Sequence, residues 1–155
     1  MNDSPDIKKE IKQSKPFEYK SAEAIVALLR TTDEIKRRIS EVTAREDITP
    51  QQYNVLRILR GAGYDGLPTL EVGKRMIERS PGITRLIDRM EKKGLVTRNR
   101  SGSDRRCVPC KITSRGIEVL DSLRDPMARI EADIDQKMSS NNLDLLIELL
   151  AELRK

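Results

Sequence analysis

Ten cationic side chains fall between residues 80 and 116, against three anionic ones, giving a local net charge of +7 in a chain whose total is +5. Seven of the ten are arginines: Arg85, Arg89, Arg98, Arg100, Arg105, Arg106 and Arg115. A planar guanidinium makes paired hydrogen bonds to a phosphate or to the O6 and N7 edge of guanine. The stretch therefore has the chemistry of polyanion recognition. Its flanks do not share that chemistry, since residues 1–79 carry net +2 and residues 117–155 net −4.

Other chemistries are excluded by composition. There is no histidine, so no His–Ser or His–Cys catalytic pair and no His-ligated zinc site can form. The two cysteines, Cys107 and Cys110, are too few for a four-cysteine metal site or a disulfide framework. Phe17, Tyr19, Tyr53 and Tyr64 are the full aromatic inventory, which rules out a base-stacking platform. No glycine-rich phosphate loop is present, so the chain reads as a non-enzyme that needs no cofactor. Cys107 and Cys110 lie three apart on an expected strand and so point to opposite faces. Cys110 reads as core. Cys107, beside Arg105 and Arg106, is the candidate for a reactive thiol, because cations favour thiolate. The longest uninterrupted apolar run, Ala24 to Leu29, is six residues. That is far short of a bilayer span, and residues 1–16 lack the apolar run of a signal peptide. A soluble cytoplasmic protein with no membrane partner is expected.

The basic stretch must be held by defined elements, and 155 residues suit one domain. Residues 1–16 read as a flexible arm. From Phe17 to about Arg45, Ile25, Leu28, Leu29, Thr32, Ile35, Ile39 and Val42 recur at helical steps. Thr49-Pro50-Gln51-Gln52 has the form of a capping box with proline in the first turn, and Gly61-Ala62-Gly63 ends that helix. After a turn at Asp65-Gly66, Thr69 is expected to cap a short helix, Leu70 to Glu78. Ser80-Pro81 is expected to open the next, with Ile83, Leu86, Ile87 and Met90 inward and Gly94 as its stop. Leu95–Arg100 and Arg105–Ile112 flank a glycine-containing tip and read as a hairpin. Thr113 caps a long helix that Pro126 should kink. Ser139–Asn142 separates it from a last helix with a broad apolar face, Leu143, Leu145, Leu146, Ile147, Leu149, Leu150 and Leu153. A terminal helix that apolar is expected to bury itself against a partner.

The order of elements, mainly α with a small β-hairpin wing, is that of a winged helix-turn-helix with a helical dimerisation region. The stretch Pro81-Gly82-Ile83-Thr84-Arg85-Leu86-Ile87-Asp88-Arg89-Met90-Glu91-Lys92-Lys93-Gly94-Leu95-Val96 resembles the recognition helix of the MarR family of transcription regulators. Asp104-Arg105-Arg106 resembles that family's wing signature. Thr49-Pro50-Gln51-Gln52-Tyr53 and Ile112-Thr113 with Gly116 resemble the start of its second helix and its hairpin-to-helix junction. The resemblance implies a sequence-specific regulator, a repressor, that binds an inverted repeat in double-stranded DNA as a homodimer. On this division residues 17–46 and 117–155 form the dimerisation region and 47–116 the DNA-binding lobe.

Ser80, Gly82, Thr84, Arg85 and Arg89 are the expected contacts on the helix, with Arg85 the leading candidate for a base edge. Arg98, Arg100, Asp104, Arg105 and Arg106 are expected contacts from the hairpin. The resemblance implies that one of Arg105 and Arg106 reaches the minor groove or a phosphate while Asp104 shapes the loop. Many family members release DNA on binding a small amphipathic molecule, and Arg30, Tyr53 and Tyr64 are candidates for such an effector site. Two alternatives stand beside this reading: a redox-responsive regulator using Cys107, and a winged helix used for protein contacts without DNA. The family's oxidation sensors carry their cysteine near the first helix, and this chain has none there. Pro109 also departs from the apolar residue usual at that place and should weaken its strand unless the strand is an edge.

Overall fold

The computed structural model describes residues 6–78, 81–98 and 109–155. They divide into two compact units, residues 1–38 and residues 39–155. In the first, α1 (Ile7–Glu10) is a single turn whose cap, Asp6, accepts from the Lys8 amide at 3.0 Å. Part of the expected arm is thus a capped helical turn. Helix α2 (Lys20–Thr43) begins in this unit, three residues later than the sequence pattern suggested. Its Ile25, Leu28 and Leu29 are exposed.

The second unit carries the core. Helix α3 (Pro50–Ala62) begins with the expected box: the Gln52 amide donates to Thr49 Oγ1 at 3.2 Å, and the Thr49 amide donates to Gln52 Oε1 at 3.0 Å. This reciprocal pair satisfies two amides that no helical carbonyl can reach. Val55, Leu56 and Leu59 of α3 are fully buried. Gly66, at φ +68, turns the chain into β1 (Leu67–Pro68). Helix α4 (Thr69–Arg75) follows directly. Thr69 is its first residue and not its cap, because Pro68 holds the capping position in extended conformation and offers no side-chain bond.

Helix α5 (Ile83–Lys92) starts two residues later than Pro81, with Gly82 at the cap. Strands β2 (Val96–Arg98) and β3 (Pro109–Ile112) are antiparallel, Val96 opposite Ile112 and Arg98 opposite Cys110. Strand β1 pairs with the other side of β3, so the sheet order is β1-β3-β2 and β3 is central. Pro109 therefore does not lie on an edge. It faces Pro68 across the ladder. Neither proline has an N–H, so this position asks for no ladder bond between them.

Thr113 caps α6 (Ser114–Ser122), accepting from the Gly116 amide at 3.1 Å. The expected kinked helix is interrupted at one residue, Leu123, which keeps right-handed helical angles, and continues as α7 (Arg124–Lys137). Pro126 lies in the first turn of α7, where its missing N–H costs nothing. Its ring would clash with the carbonyl four residues back, which places the break at that point. Ser139 caps α8 (Ser140–Glu152), in which no residue is buried. One apolar cluster unites α3, α4, α5, the sheet, α6 and α7, and it includes Val72, Leu86, Ile87, Met90, Cys110 and Leu123. No helix of the described residues is long and apolar enough to cross a membrane.

Candidate nucleic-acid interface

Helix α5 splits cleanly by face. Ile83, Leu86, Ile87 and Met90 are buried, while Thr84, Arg85, Arg89 and Lys92 are exposed. This is the division that the 3.6-residue period requires. The buried face anchors the helix so that the cations project away from the core. Gly82 supplies no side-chain acceptor at the helix start, so the first-turn amides add to the positive end of the helix dipole. A Cβ placed on Gly82 would meet nothing within 4 Å, which leaves the approach to the helix start open.

The far end of α5 is closed by a Schellman motif. The Leu95 amide donates to the Met90 carbonyl at 3.0 Å, and the Gly94 amide donates to the Glu91 carbonyl at 2.9 Å, with Gly94 at φ +70. Only glycine adopts this left-handed turn without strain. It sends the chain straight into β2. Thr113 secures the base of the hairpin, its hydroxyl donating to the Gly94 carbonyl at 2.7 Å and its amide to the Leu95 carbonyl at 3.2 Å.

Two charged contacts, neither expected from the sequence, hold α5 from either side. The Lys93 ammonium donates to the Asp47 carboxylate at 2.8 Å and to the Asp47 carbonyl. Asp47 sits at φ +52 in the loop before α3, and Lys93 holds its carboxyl below the usual range. On the other side Arg98 reaches back from β2 to Asp88 at 2.6 Å and Glu91 at 2.5 Å. The Glu91 carboxylate, with Asp88 behind it, holds the Arg98 guanidinium above its ordinary pKa, while burial pulls the other way. The spacing of Asp88 and Glu91, i and i+3 on one helix face, was the only sequence signal for this cluster. Its cation comes from the strand beyond the turn.

Of the expected contacts, Gly82, Thr84, Arg85 and Arg89 lie together on or beside the exposed stripe of α5. Among the described residues neither Arg85 nor Arg89 has a carboxylate partner. Arg98 was expected to face phosphate and is instead engaged with Asp88 and Glu91. Ser80, Arg100, Asp104, Arg105, Arg106 and Cys107 lie outside the described residues. Cys110 is fully buried, and burial pushes its thiol up to about 11, away from the thiolate form.

The three candidate effector residues are not brought together. Arg30 is exposed on α2, Tyr64 is 98% exposed, and Tyr53 packs against the core with the Arg57 guanidinium 6.0 Å from its ring centre. Two open clefts of about 560 and 610 Å³ lie beside the Asp47–Lys93 pair, and none of those three residues lines either. Among the described residues no group of three or more metal-ligating side chains converges.

A helix-turn-helix made by α4 and α5 and packed on α3, followed by an antiparallel pair of strands and with arginines on its second helix, α5, defines a winged helix-turn-helix protein. A profile of the MarR family matches residues 48–108. A MarR transcription factor of Planctomyces limnophilus is 34% identical in its crystal structure, with 88% of this chain and 98% of that one covered and a TM-score of 0.67. The transcriptional regulator FarR of Neisseria gonorrhoeae is 26% identical over 140 residues, 90% of this chain and 94% of FarR. The transcriptional repressor CouR, solved bound to a 23-mer DNA duplex, is 27% identical at a TM-score of 0.76, over 92% of this chain and all of that one. The chain belongs to the MarR family of transcriptional regulators.

Proposed function

We propose that this regulator represses transcription by binding an inverted repeat in double-stranded DNA as a homodimer, with α5 in the major groove. The observation that carries the reading is the exposed stripe of Arg85, Arg89 and Lys92, backed by a fully buried apolar face on the same helix. Arg85, in the first turn, is assigned the base edge, because recognition helices of this class meet bases with their N-terminal residues. Arg89 is the next candidate for a base edge. The likeness to CouR, a repressor solved on duplex DNA, supports the same reading.

The homodimer rests on apolar surface left bare. Leu145, Leu146, Ile147, Leu149 and Leu153 of α8 are exposed, as separately are Ile25, Leu28 and Leu29 of α2. A second copy of the chain covers such faces in the proposed assembly, which assigns residues 17–46 and 117–155 to dimerisation and 47–116 to DNA. Release by a small amphipathic molecule belongs to the same reading.

Selection from a random duplex pool by the purified protein tests it. Recovery of an inverted repeat with half-sites about one helical turn apart, roughly 34 Å, is the expected result. Arg85→Ala should weaken binding by about 1–3 kcal/mol and relax preference at one base pair, while Arg105→Ala weakens all sequences and flattens the salt dependence. No enrichment of any sequence by the wild-type protein overturns the reading.

A further inference from the structure

The recognition helix carries two carboxylates among its cations. Asp88 and Glu91 lie along one flank of the cationic stripe and are less exposed than it, but near a duplex bare negative charge repels phosphate. Both are met by one side chain. The Arg98 guanidinium lies 2.6 Å from Asp88 and 2.5 Å from Glu91, and its Nε donates to Glu91 at 3.1 Å. The other Glu91 oxygen accepts the backbone amide of Arg98 at 3.1 Å. Glu91 thus grips Arg98 by main chain and side chain together, which fixes the direction of the strand as well as its charge. The Arg98 side chain is only 14% exposed. Its opposite number in the ladder, Cys110, is fully buried, so the strand is held at that point from inside as well. Arg98 is the last described residue of β2. The chain runs on from it towards Arg100, Arg105 and Arg106.

We infer that Arg98 is a positioning residue for DNA recognition. Its charge is committed to Asp88 and Glu91, which locks the root of the hairpin to the recognition helix and offsets one of that helix's two negative charges. Groove reading by α5 is then set at one fixed geometry relative to β2. The inference rests on the DNA-binding reading above. It differs from a direct phosphate contact by Arg98, and it differs from a contact that merely stabilises the fold.

The variants Arg98→Gln, Glu91→Gln, the double variant and Arg98→Lys separate these possibilities. Affinity is measured by fluorescence anisotropy across a salt series, on the duplex selected by the wild-type protein and on a shuffled duplex of equal composition. Arg98→Gln and Glu91→Gln should each lower the ratio of selected to shuffled affinity by about tenfold, and the double variant should lose no more than either single one. Glu91→Gln is the sharpest arm. It removes a negative charge near DNA, so electrostatics alone would tighten binding to both duplexes, whereas lost positioning lowers the ratio. Arg98→Lys keeps the charge but loses the planar fork and should fall between.

The inference is overturned if Arg98→Gln weakens both duplexes equally with a salt slope smaller by about 0.9, the signature of one lost phosphate contact. It is equally overturned if thermal stability falls while the affinity ratio holds. Should Arg98→Gln fail to fold, Glu91→Gln and Asp88→Asn carry the same test. Wild-type protein that selects no sequence removes the DNA-binding reading itself, a failure distinct from an unchanged ratio in the variants.

Discussion

Gly116→Ala places a methyl group where the hairpin meets α6. The new Cβ would lie 2.4 Å from the Leu95 carbonyl oxygen, 2.8 Å from Ile112 Cγ1 and 3.1 Å from Leu56 Cδ2. The first of these is backbone and cannot rotate away. Overfilling a packed site costs about 1–3 kcal/mol, and a clash with main chain belongs at the upper end. Replacing a helical glycine by alanine returns about 0.8–1 kcal/mol. The net expectation is a loss of about 2 kcal/mol, or roughly 4–8 °C in Tm for a chain of this size. Gly61→Ala is the matched control. Gly61 lies in α3 and a Cβ there meets nothing within 4 Å, so the same substitution should stabilise by about 0.5 kcal/mol. Thermal melts of both variants at one fixed protein concentration, needed because a dimer's Tm depends on it, make the comparison. A neutral or stabilised Gly116→Ala, or equal losses in both variants, would refute the argument that close approach of α6 to the Leu95 carbonyl demands glycine.

The remaining expectations concern the buried thiol and the last helix. In Cys107→Ser protein, Cys110 should resist a thiol reagent in the native state and react fully in denaturant. Native labelling at the rate of a free thiol would contradict its burial. The Cys110 thiol is raised from about 9 to about 11 in the folded state. The unfolded chain ionises first, so this contribution is intact below pH 9 and is lost as pH climbs to 11. The loss is at most about 3 kcal/mol, read as a steeper alkaline fall in stability than Cys110→Ala shows. Leu146→Glu with Leu149→Glu should convert the proposed dimer to monomer in sedimentation velocity at micromolar concentration. Leu146 and Leu149 are 39% and 49% exposed, so covering what remains is worth about 1–3 kcal/mol per protomer, or roughly a hundredfold in dissociation constant over the two protomers.

Local signals located most elements. The Thr49 box, the Gly94 stop and the Thr113 and Ser139 caps each act within five positions of chain, so their physics is written in short stretches. The core face of α5 was legible for the same reason, since periodicity reports burial without knowledge of the partner. Errors arose where a local rule met a tertiary one. Ser80-Pro81 has the form of a helix start, yet α5 begins at Ile83. Thr69 has the residue type of a cap, but β1 pairing places Pro68 there. Pro126 promised a kink, and the helix is interrupted at one residue, Leu123, three positions before it. Strand β1 is two residues long, too short for any alternation to announce that it would make β3 central.

The sequence by itself determined where the cations concentrate, which face of α5 they share, and the order of helices and hairpin that makes a winged helix. Charge count and helical period are properties of the chain alone. Only the tertiary structure decided how the charges are spent. Arg98 seemed one more cation for phosphate, because no sequence rule joins a strand residue to carboxylates seven and ten positions earlier across a tight turn. The Schellman turn at Gly94 folds β2 back beside α5 and makes that contact. It leaves Arg85 and Arg89 without a carboxylate partner among the described residues, because Arg98 is the cation that Asp88 and Glu91 hold.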